Sequence, residues 1–486
     1  MSEANVVQLA PNRTKIVATI GPRSRTPAIL RKLIEVGVDV FRLNFSHGTH
    51  DEHSAVVADI RTLSRELGQH VAILQDLCGP KIRLGPIPGD VVECSLGEEF
   101  TLVAQRSSNS THELTCSYAD LSNDLKVGET ILFADGTVAM VVTNTEPARA
   151  RLKVTLAGQL RSRQGLNLPG SELAVKSLTD KDLNDLDWTR QHAEDVDFVG
   201  LSFVRSADDV VTLRRELQAR ACPARIVVKI EKPQAVQHLE EIVAVTDCVM
   251  VARGDLGVEM DVERVPAIQK RIIALCNHAH RPVITATQML NSMEHSSRPT
   301  RAEASDVFNA VLDGTDAVML SGESAVGEYP VEAVVTMSQI CSEAEAYLKS
   351  SSRSTFVESI SLSGLIEPIT EAAVDAAHLM TEQLDAPLIV VATDSGRTAV
   401  ALSNRRPTAT ILALTRTEGV ARTLALCWGV MPLVRPDPLS AELELKFAID
   451  WAKSHSVVRA GQYAILLRGQ VAGQPKSRAV MAGEVS

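Results

Sequence analysis

The sequence predicts an α/β protein: a (β/α)8 barrel interrupted by a mostly-β insert and followed by a C-terminal α/β domain. Three observations carry that expectation. Eight short apolar runs alternate with amphipathic stretches across residues 15–321, the alternation that accompanies parallel sheets. Between Lys81 and Gly170 the alternation stops, and short strand-like runs follow one another with only turn residues between them. Beyond the polar run Ser350–Ser354 it resumes.

Lys15–Ile20 reads as the first strand, and Thr26-Pro27 offers a cap and a first-turn proline for a helix running to Gly37. In the second strand, Val40–Ser46, alternation separates Phe41, Leu43 and Phe45 from Arg42, Asn44 and Ser46, so one face packs and the other is polar. Ser46–His50 leads into a helix ending near Gly68, and Val71–Leu77 delivers Asp76 at the end of the third strand. The insert shows strand-like runs at Glu99–Ala104, Thr130–Phe133, Val138–Val142 and Arg151–Leu156, and Leu168-Pro169-Gly170 looks like its return hinge. A stretch of that length is too long for one loop. Thr179 and Asp182 make a capping-box-like helix start, and the strands Phe198–Phe203, Arg225–Glu231, Cys248–Arg253, Pro282–Thr287 and Ala317–Ser321 follow. Three strands before the insert and five after it give the eight that a closed barrel needs. After a helix from Pro330 to about Leu348, the third region has strands at Pro387–Ala392, Thr410–Thr415, Val430–Val434 and Tyr463–Arg468. The expected domains are 1–79 with 173–349, 80–172, and 350–486.

Chemistry concentrates on two of these strands. Alternation places Val227, Lys229 and Glu231 on one side of the fifth strand and Val228 and Ile230 on the other, so an ammonium and a carboxylate project together. A solvent-exposed strand end would hold such a pair cheaply, whereas a barrel interior would demand a compensating partner. The sixth strand leads into Gly254-Asp255-Leu256-Gly257, a carboxylate between glycines that let a ligand approach the backbone. Together Glu231 and Asp255 offer the two oxygen ligands that proteins usually give Mg2+ or Mn2+.

Composition removes several classes. With 45% hydrophobic and 22% charged residues the chain is an ordinary globular one, long enough at 486 residues for two to four domains. A net charge of -11 argues against a nucleic-acid partner. The eight cysteines have no CxxC spacing, which suggests buried thiols and no zinc or disulfide framework. Met1–Lys15 lacks an apolar signal region, and no stretch approaches the ~18 apolar residues of a membrane span, so a cytoplasmic location away from membranes is expected. His47, His50 and His53 sit where a helix starts, which disfavours a metal reading. Gly322–Gly327 has half a P-loop spacing, but Glu328 stands where a lysine is needed.

Six ordered motifs make the chain resemble the pyruvate kinase family from end to end: Arg42-Leu-Asn-Phe-Ser-His-Gly48, Gln75-Asp-Leu-Cys-Gly-Pro-Lys81, Val228-Lys-Ile-Glu231, Val251-Ala-Arg-Gly-Asp-Leu-Gly257, Thr285-Ala-Thr-Gln-Met-Leu290 and Met319-Leu-Ser-Gly-Glu323. The resemblance implies a TIM-barrel A domain, an inserted B-domain lid, a C-terminal regulatory domain, a homotetramer, and phosphoryl transfer from phosphoenolpyruvate to ADP that yields ATP and pyruvate. It assigns Arg42 to the phosphoryl group, Glu231 and Asp255 to Mg2+, Lys229 to the enolate oxygen, Gly254 and Asp255 to the substrate carboxylate, and Thr287 to the proton that converts enolate to pyruvate. His47, Arg83 and Arg163 resemble positions that touch nucleotide phosphates. Many members carry Glu at Lys81 and Thr at Leu77, and hold K+ through groups matching Asn44, Ser46 and Asp76. The Lys81 ammonium supplies the same fixed charge, so K+ is expected not to be required. Thr393-Asp394-Ser395-Gly396-Arg397-Thr398 matches the place where the family binds a sugar phosphate or AMP as effector, although Asp394 adds negative charge. Two other readings stay open: a Mg2+-dependent lyase of the phosphoenolpyruvate/pyruvate barrel type, and a non-catalytic phosphometabolite sensor.

Overall fold

The computed structural model describes residues 12–104, 107–118, 120–134, 136–169, 176–350, 367–437, 439–468 and 478–486. Eight parallel strands close a barrel: Lys15–Ile20, Val40–Asn44, Ala72–Asp76, Phe198–Leu201, Arg225–Ile230, Cys248–Ala252, Val283–Ala286 and Ala317–Leu320. Neighbours follow chain order, and the first strand closes on the eighth with Lys15 opposite Ala317. Helices cover the outside and side chains fill the inside, so the strands are apolar on both faces. The fifth strand shows the division. Val227 joins Val17, Val40, Leu74, Met250 and Met319 in the interior cluster, while Ile226, Val228 and Ile230 pack outward under the helices. Leu426, from the C-terminal region, completes the interior cluster.

Caps fix where the helices begin. Thr179 and Asp182 form the expected box at the start of Asp180–Gln191, and Thr49 with Glu52 and Thr300 with Glu303 do the same for His50–Leu67 and Arg301–Leu312. Thr26 is different. Its side chain makes no capping bond, and Pro27 in the first turn marks that helix start instead.

The insert contains a seven-stranded sheet and a two-stranded one around Phe100, Phe133, Met140 and Leu152. Sequence reading found its longer strands and missed Ile82–Arg83, Val91–Cys94, Glu113–Leu114, Gly158–Arg161 and Gly165–Asn167. Runs of two to four residues are too short to display alternation. The short helix Leu121–Asp124 was also not foreseen. In the C-terminal region Val430–Val434, Thr410–Thr415, Leu388–Ala392 and Tyr463–Arg468 lie parallel, as expected, and Ala479–Glu484 adds an unexpected antiparallel edge. Gly170 of the expected hinge and 351–354 of the expected linker lie outside the described residues.

Candidate active site

The barrel's strand ends bring the charged residues together. Asp76 ends the third strand, in register with Asn44 on one side and Gly200 on the other. Arg42, one pleat back on the second strand, donates from Nε to Asp76 Oδ2 at 2.7 Å, with Nη2 2.6 Å from the same oxygen. Its Nη1 donates to Thr19 Oγ1 at 3.0 Å. Lys229 enters from the fifth strand: its Nζ lies 2.7 Å from Glu231 Oε1 and 3.6 Å from Asp76 Oδ2, and donates to Ser202 Oγ at 2.9 Å. Arg42 and Lys229 thus share Asp76 in a cluster that is almost wholly buried.

Burial alone would push the Lys229 ammonium down, but Asp76 and Glu231 reverse this and hold it above its ordinary range. Burial likewise works to raise Asp76, and Lys229 with Arg42 outweighs it, leaving that carboxyl below its usual range. Glu231 behaves differently. Burial pushes its carboxyl up, Lys229 opposes this, and Asp255 adds to the rise. One oxygen, Oε2, accepts from Phe203 N–H at 2.8 Å; the other faces the Lys229 ammonium without an aligned hydrogen bond. A fully buried carboxylate oxygen with spare lone pairs, electrostatically strained by a second carboxylate, suits a divalent cation that takes one or two protein carboxylates and fills its shell from substrate.

Asp255 is not on a strand. The sixth strand stops at Ala252, and Arg253–Glu259 forms a short helix with Gly254 and Asp255 in its first turn. The Gly254 amide donates to Thr287 Oγ1 at 2.7 Å, and that hydroxyl donates to Ala286 O at 2.6 Å. Thr287 and Gln288 both hold left-handed backbone, φ 69° and 53°, costing about 1–3 kcal/mol each. Arg253 Nη2 donates to Thr287 O at 2.7 Å, and its Nη1 to Asp306 at 2.7 Å, so a neighbouring guanidinium holds the strained turn.

Lys81 reaches the site from the start of the insert. Its Nζ lies 3.6 Å from Asp255 Oδ1, and Asp76 is taken by Arg42 and Lys229. Asn44, Ser46 and Asp76 do gather at adjoining strand ends, where Asn44 Oδ1 accepts from Ser46 N–H at 3.1 Å. Partial burial, then the charges of Arg83, Arg42 and Lys81, hold the His47 imidazole below its ordinary value. Arg83 reaches the Arg163 carbonyl at 3.4 Å, while the Arg163 side chain is exposed. His50 pairs with Asp185 at 2.8 Å and His53 stacks on Phe45. Thr393–Thr398 is elsewhere, at the start of the fifth strand, where Arg225 donates to Ser395 O at 2.7 Å. Gly396, at φ +82°, gives its N–H to Thr393 Oγ1 at 3.0 Å, and Asp394 pairs with Arg416 at 3.0 Å.

Sequence reading overlooked Ser202, Thr19, Arg253 and Glu259. A serine at the end of the apolar run Phe198–Phe203 was the available signal for the first. For Arg253 the signal was its place in the motif Val251–Gly257; Thr19 and Glu259 gave none.

Comparison with known proteins identifies the family. The family model described as pyruvate kinase, barrel domain, matches residues 11–334, and that described as pyruvate kinase, alpha/beta domain, matches 369–482. A pyruvate kinase of Staphylococcus aureus (strain MRSA252) is 40% identical over 467 residues, 95% of this chain and 78% of the relative. One from Staphylococcus saprophyticus is 41% identical over 468 residues, with the same coverage. The crystal structure of a pyruvate kinase from Cryptosporidium parvum superposes with a TM-score of 0.89 at 34% identity, covering 98% of this chain and 97% of that one. The chain belongs to the pyruvate kinase family.

Proposed function

We propose that this protein transfers the phosphoryl group of phosphoenolpyruvate to ADP, giving ATP and pyruvate, with Mg2+ or Mn2+ held by Glu231 and Asp255. The observation that carries the reading is Lys229, buried between Asp76 and Glu231 and facing the same carboxylate as Arg42. An ammonium held permanently charged there is placed to stabilise negative charge that develops on the enolate oxygen and the transferring phosphoryl. The bound divalent cation would neutralise charge on the phosphoryl and carboxylate oxygens. The Arg42 guanidinium offers its fork to the phosphoryl group. Asp76 and Glu231 hold Lys229 charged, which leaves the enolate's proton to another group. Thr287, with its hydroxyl fixed between Gly254 N and Ala286 O, orders water for that step. Substrate carboxylate would draw on the same helix start at Gly254 and Asp255, in competition with Thr287 for the Gly254 amide.

Residues 80–172 act as the lid, and His47, Arg83 and Arg163 meet the nucleotide phosphates. The barrel takes in 1–79 and 173–349, and the regulatory domain 350–486. Thr393–Thr398 receives a sugar phosphate or AMP that activates the enzyme, a reading supported by its hydroxyls, its glycine and its contact with the strand that carries Lys229. The Asp394–Arg416 pair offsets the charge of Asp394. The working form is a cytoplasmic homotetramer.

A lactate-dehydrogenase-coupled assay with phosphoenolpyruvate, ADP and Mg2+ tests the reading, since a lyase or a sensor would make no pyruvate that depends on ADP. Replacing K+ by a tetraalkylammonium salt should leave the rate standing, because Lys81 supplies a cation beside Asp255; a collapse would defeat K+ independence. Lys229→Met should lower kcat about 10²- to 10³-fold with little change in KM for phosphoenolpyruvate, and an equal loss in both would remove its transition-state role.

A further inference from the structure

We propose that Glu259 is a positioning residue for the phosphoryl-transfer site, tying the inserted sheet to the helix that carries Asp255. The inference rests on the reading of Asp255 as a cation ligand. Glu259 ends the helix Arg253–Glu259, one turn beyond Asp255 on the same side. Both passages of chain between barrel and insert meet this helix. On the way out Lys81 lies 3.6 Å from Asp255 Oδ1; on the return Asn167 Nδ2 donates to Glu259 Oε1 at 2.8 Å.

For helix stability alone the residue is badly chosen. A carboxylate is disfavoured at a helix C-terminus, and one whose side chain is only 1% exposed costs several kcal/mol unless it is paired. The pairing is supplied by Lys232, whose Nζ lies 2.6 Å from the same Oε1. Oε2 is buried with no hydrogen-bond partner among the described residues, so the whole hold falls on one oxygen.

Lys232 carries the connection to the other carboxylate. It follows Glu231 in the chain, its ammonium lies 5.6 Å from the centre of the Phe203 ring, and Phe203 N–H donates to Glu231 Oε2 at 2.8 Å. Phe203 itself holds left-handed backbone at φ 55°. Glu259 therefore joins Asn167 of the insert, the helix bearing Asp255 and, through Lys232, the chain just past the fifth strand that carries Glu231. A cavity of about 60 Å3 lies beside the joint, lined by Lys81, Asn167, Phe203 and Lys232 among others. A shift of the insert at Asn167 is then felt at both carboxylates, and a displacement of about 1 Å at such groups can cost as much as 10²-fold in rate.

A double-mutant cycle with Asn167→Ala and Glu259→Gln tests this, read by kcat at saturating substrates, by binding of Mn2+ alone measured from the electron paramagnetic resonance signal of free Mn2+, and by thermal unfolding. Asn167→Ala should lose about 10-fold in kcat and in Mn2+ affinity with little change in unfolding temperature, as for residues that orient metal ligands from behind. The double variant should be no worse than Glu259→Gln alone. Additive losses, or an Asn167→Ala protein with wild-type kcat and Mn2+ affinity, would overturn the proposal. Should Glu259→Gln fail to fold, Asn167→Ala, which keeps the buried ion pair, decides the matter alone. A wild-type protein that makes no pyruvate would defeat the functional reading beneath it; an active wild type with an indistinguishable Asn167→Ala defeats only this inference.

Discussion

His53 lies beneath the loop that follows Arg42, its ring stacked on Phe45 at 4.2 Å between centroids and its Nε2 3.0 Å from the His47 carbonyl oxygen. Burial holds its imidazole below the ordinary value of 6.5, and the His47 carbonyl only partly opposes that. The folded state therefore binds this proton less readily than the unfolded chain does, so the stability the group contributes is complete above pH 6.5 and drains away as pH falls through its lowered value. His53→Gln should lower the unfolding temperature at pH 8 through loss of the stack, worth about 1 kcal/mol. That deficit should shrink as the pH is taken from 6.5 towards 5. A deficit of constant size across the range would show that His53 does not titrate as its surroundings require. The residues of the mouth were unequally visible in the sequence. Lys229 and Glu231 could be placed on one face because strand alternation is strict, and the cluster around them has the polarity that placement predicts. Thr19 could not, and Ser202 only as the end of an apolar run, because a hydroxyl's partner is settled by which strands become neighbours.

At the scale of elements, the helix Asp180–Gln191 holds the insert's point of departure. Asp182 Oδ2 accepts from Thr179 N–H at 2.8 Å in the capping box, while Oδ1 accepts from the Gly79 amide at 3.1 Å. Gly79 holds left-handed backbone at φ 65°, and a Cβ there would come within 3.0 Å of Ser202 and Phe203. Asp182 is fully buried, so Asp182→Ala removes a cap and strands the Gly79 donor; the summed cost is about 2–4 kcal/mol. Thr179→Ala, which loses only the cap, should cost about 1 kcal/mol. Circular-dichroism melts of the two variants compare them directly, and a smaller loss for Asp182→Ala would show that the Gly79 contact carries no weight. The box was legible from Thr179 and Asp182 alone, since it is written within four residues. Its second task was not, because Gly79 lies 103 positions away. The same limit explains the insert's strands. Val138–Glu146 and Arg149–Leu156 are long enough to alternate visibly, whereas Gly165–Asn167 is defined only by the partners it finds at Phe133 and Arg83.

Over the whole molecule, eight strands, an insert and a third region could be counted along the chain, but how the third region docks could not, because its contacts join residues far apart in the chain, several of them arginines. Arg422 donates from Nε to Asp197 Oδ1 at 2.8 Å and from Nη2 to Glu194 O at 2.5 Å. Arg406 lies 3.1 Å from Asp316, and both it and Arg13 stack on Trp428. Arg225 reaches Ser395. Asp197, just before the fourth strand, is buried and shared: its Oδ2 accepts from Arg61 Nη2 at 2.6 Å and from Ile73 N–H at 2.8 Å. Arg422→Ala leaves Arg61 in place, so Asp197 keeps one guanidinium and the cost should stay below the 3–5 kcal/mol of a buried charge left wholly unpaired, at about 2 kcal/mol. Because the lost contacts all cross between barrel and C-terminal region, that cost falls on docking and not on either core. Calorimetry should then show the C-terminal α/β region melting ahead of the barrel, with the barrel's own transition nearly unmoved, and Arg422→Lys should recover part of the shift by restoring charge without the second bond to Glu194. If both transitions fall together in Arg422→Ala, Asp197 is supporting the barrel from within and the docking role passes to Arg406 and Arg225.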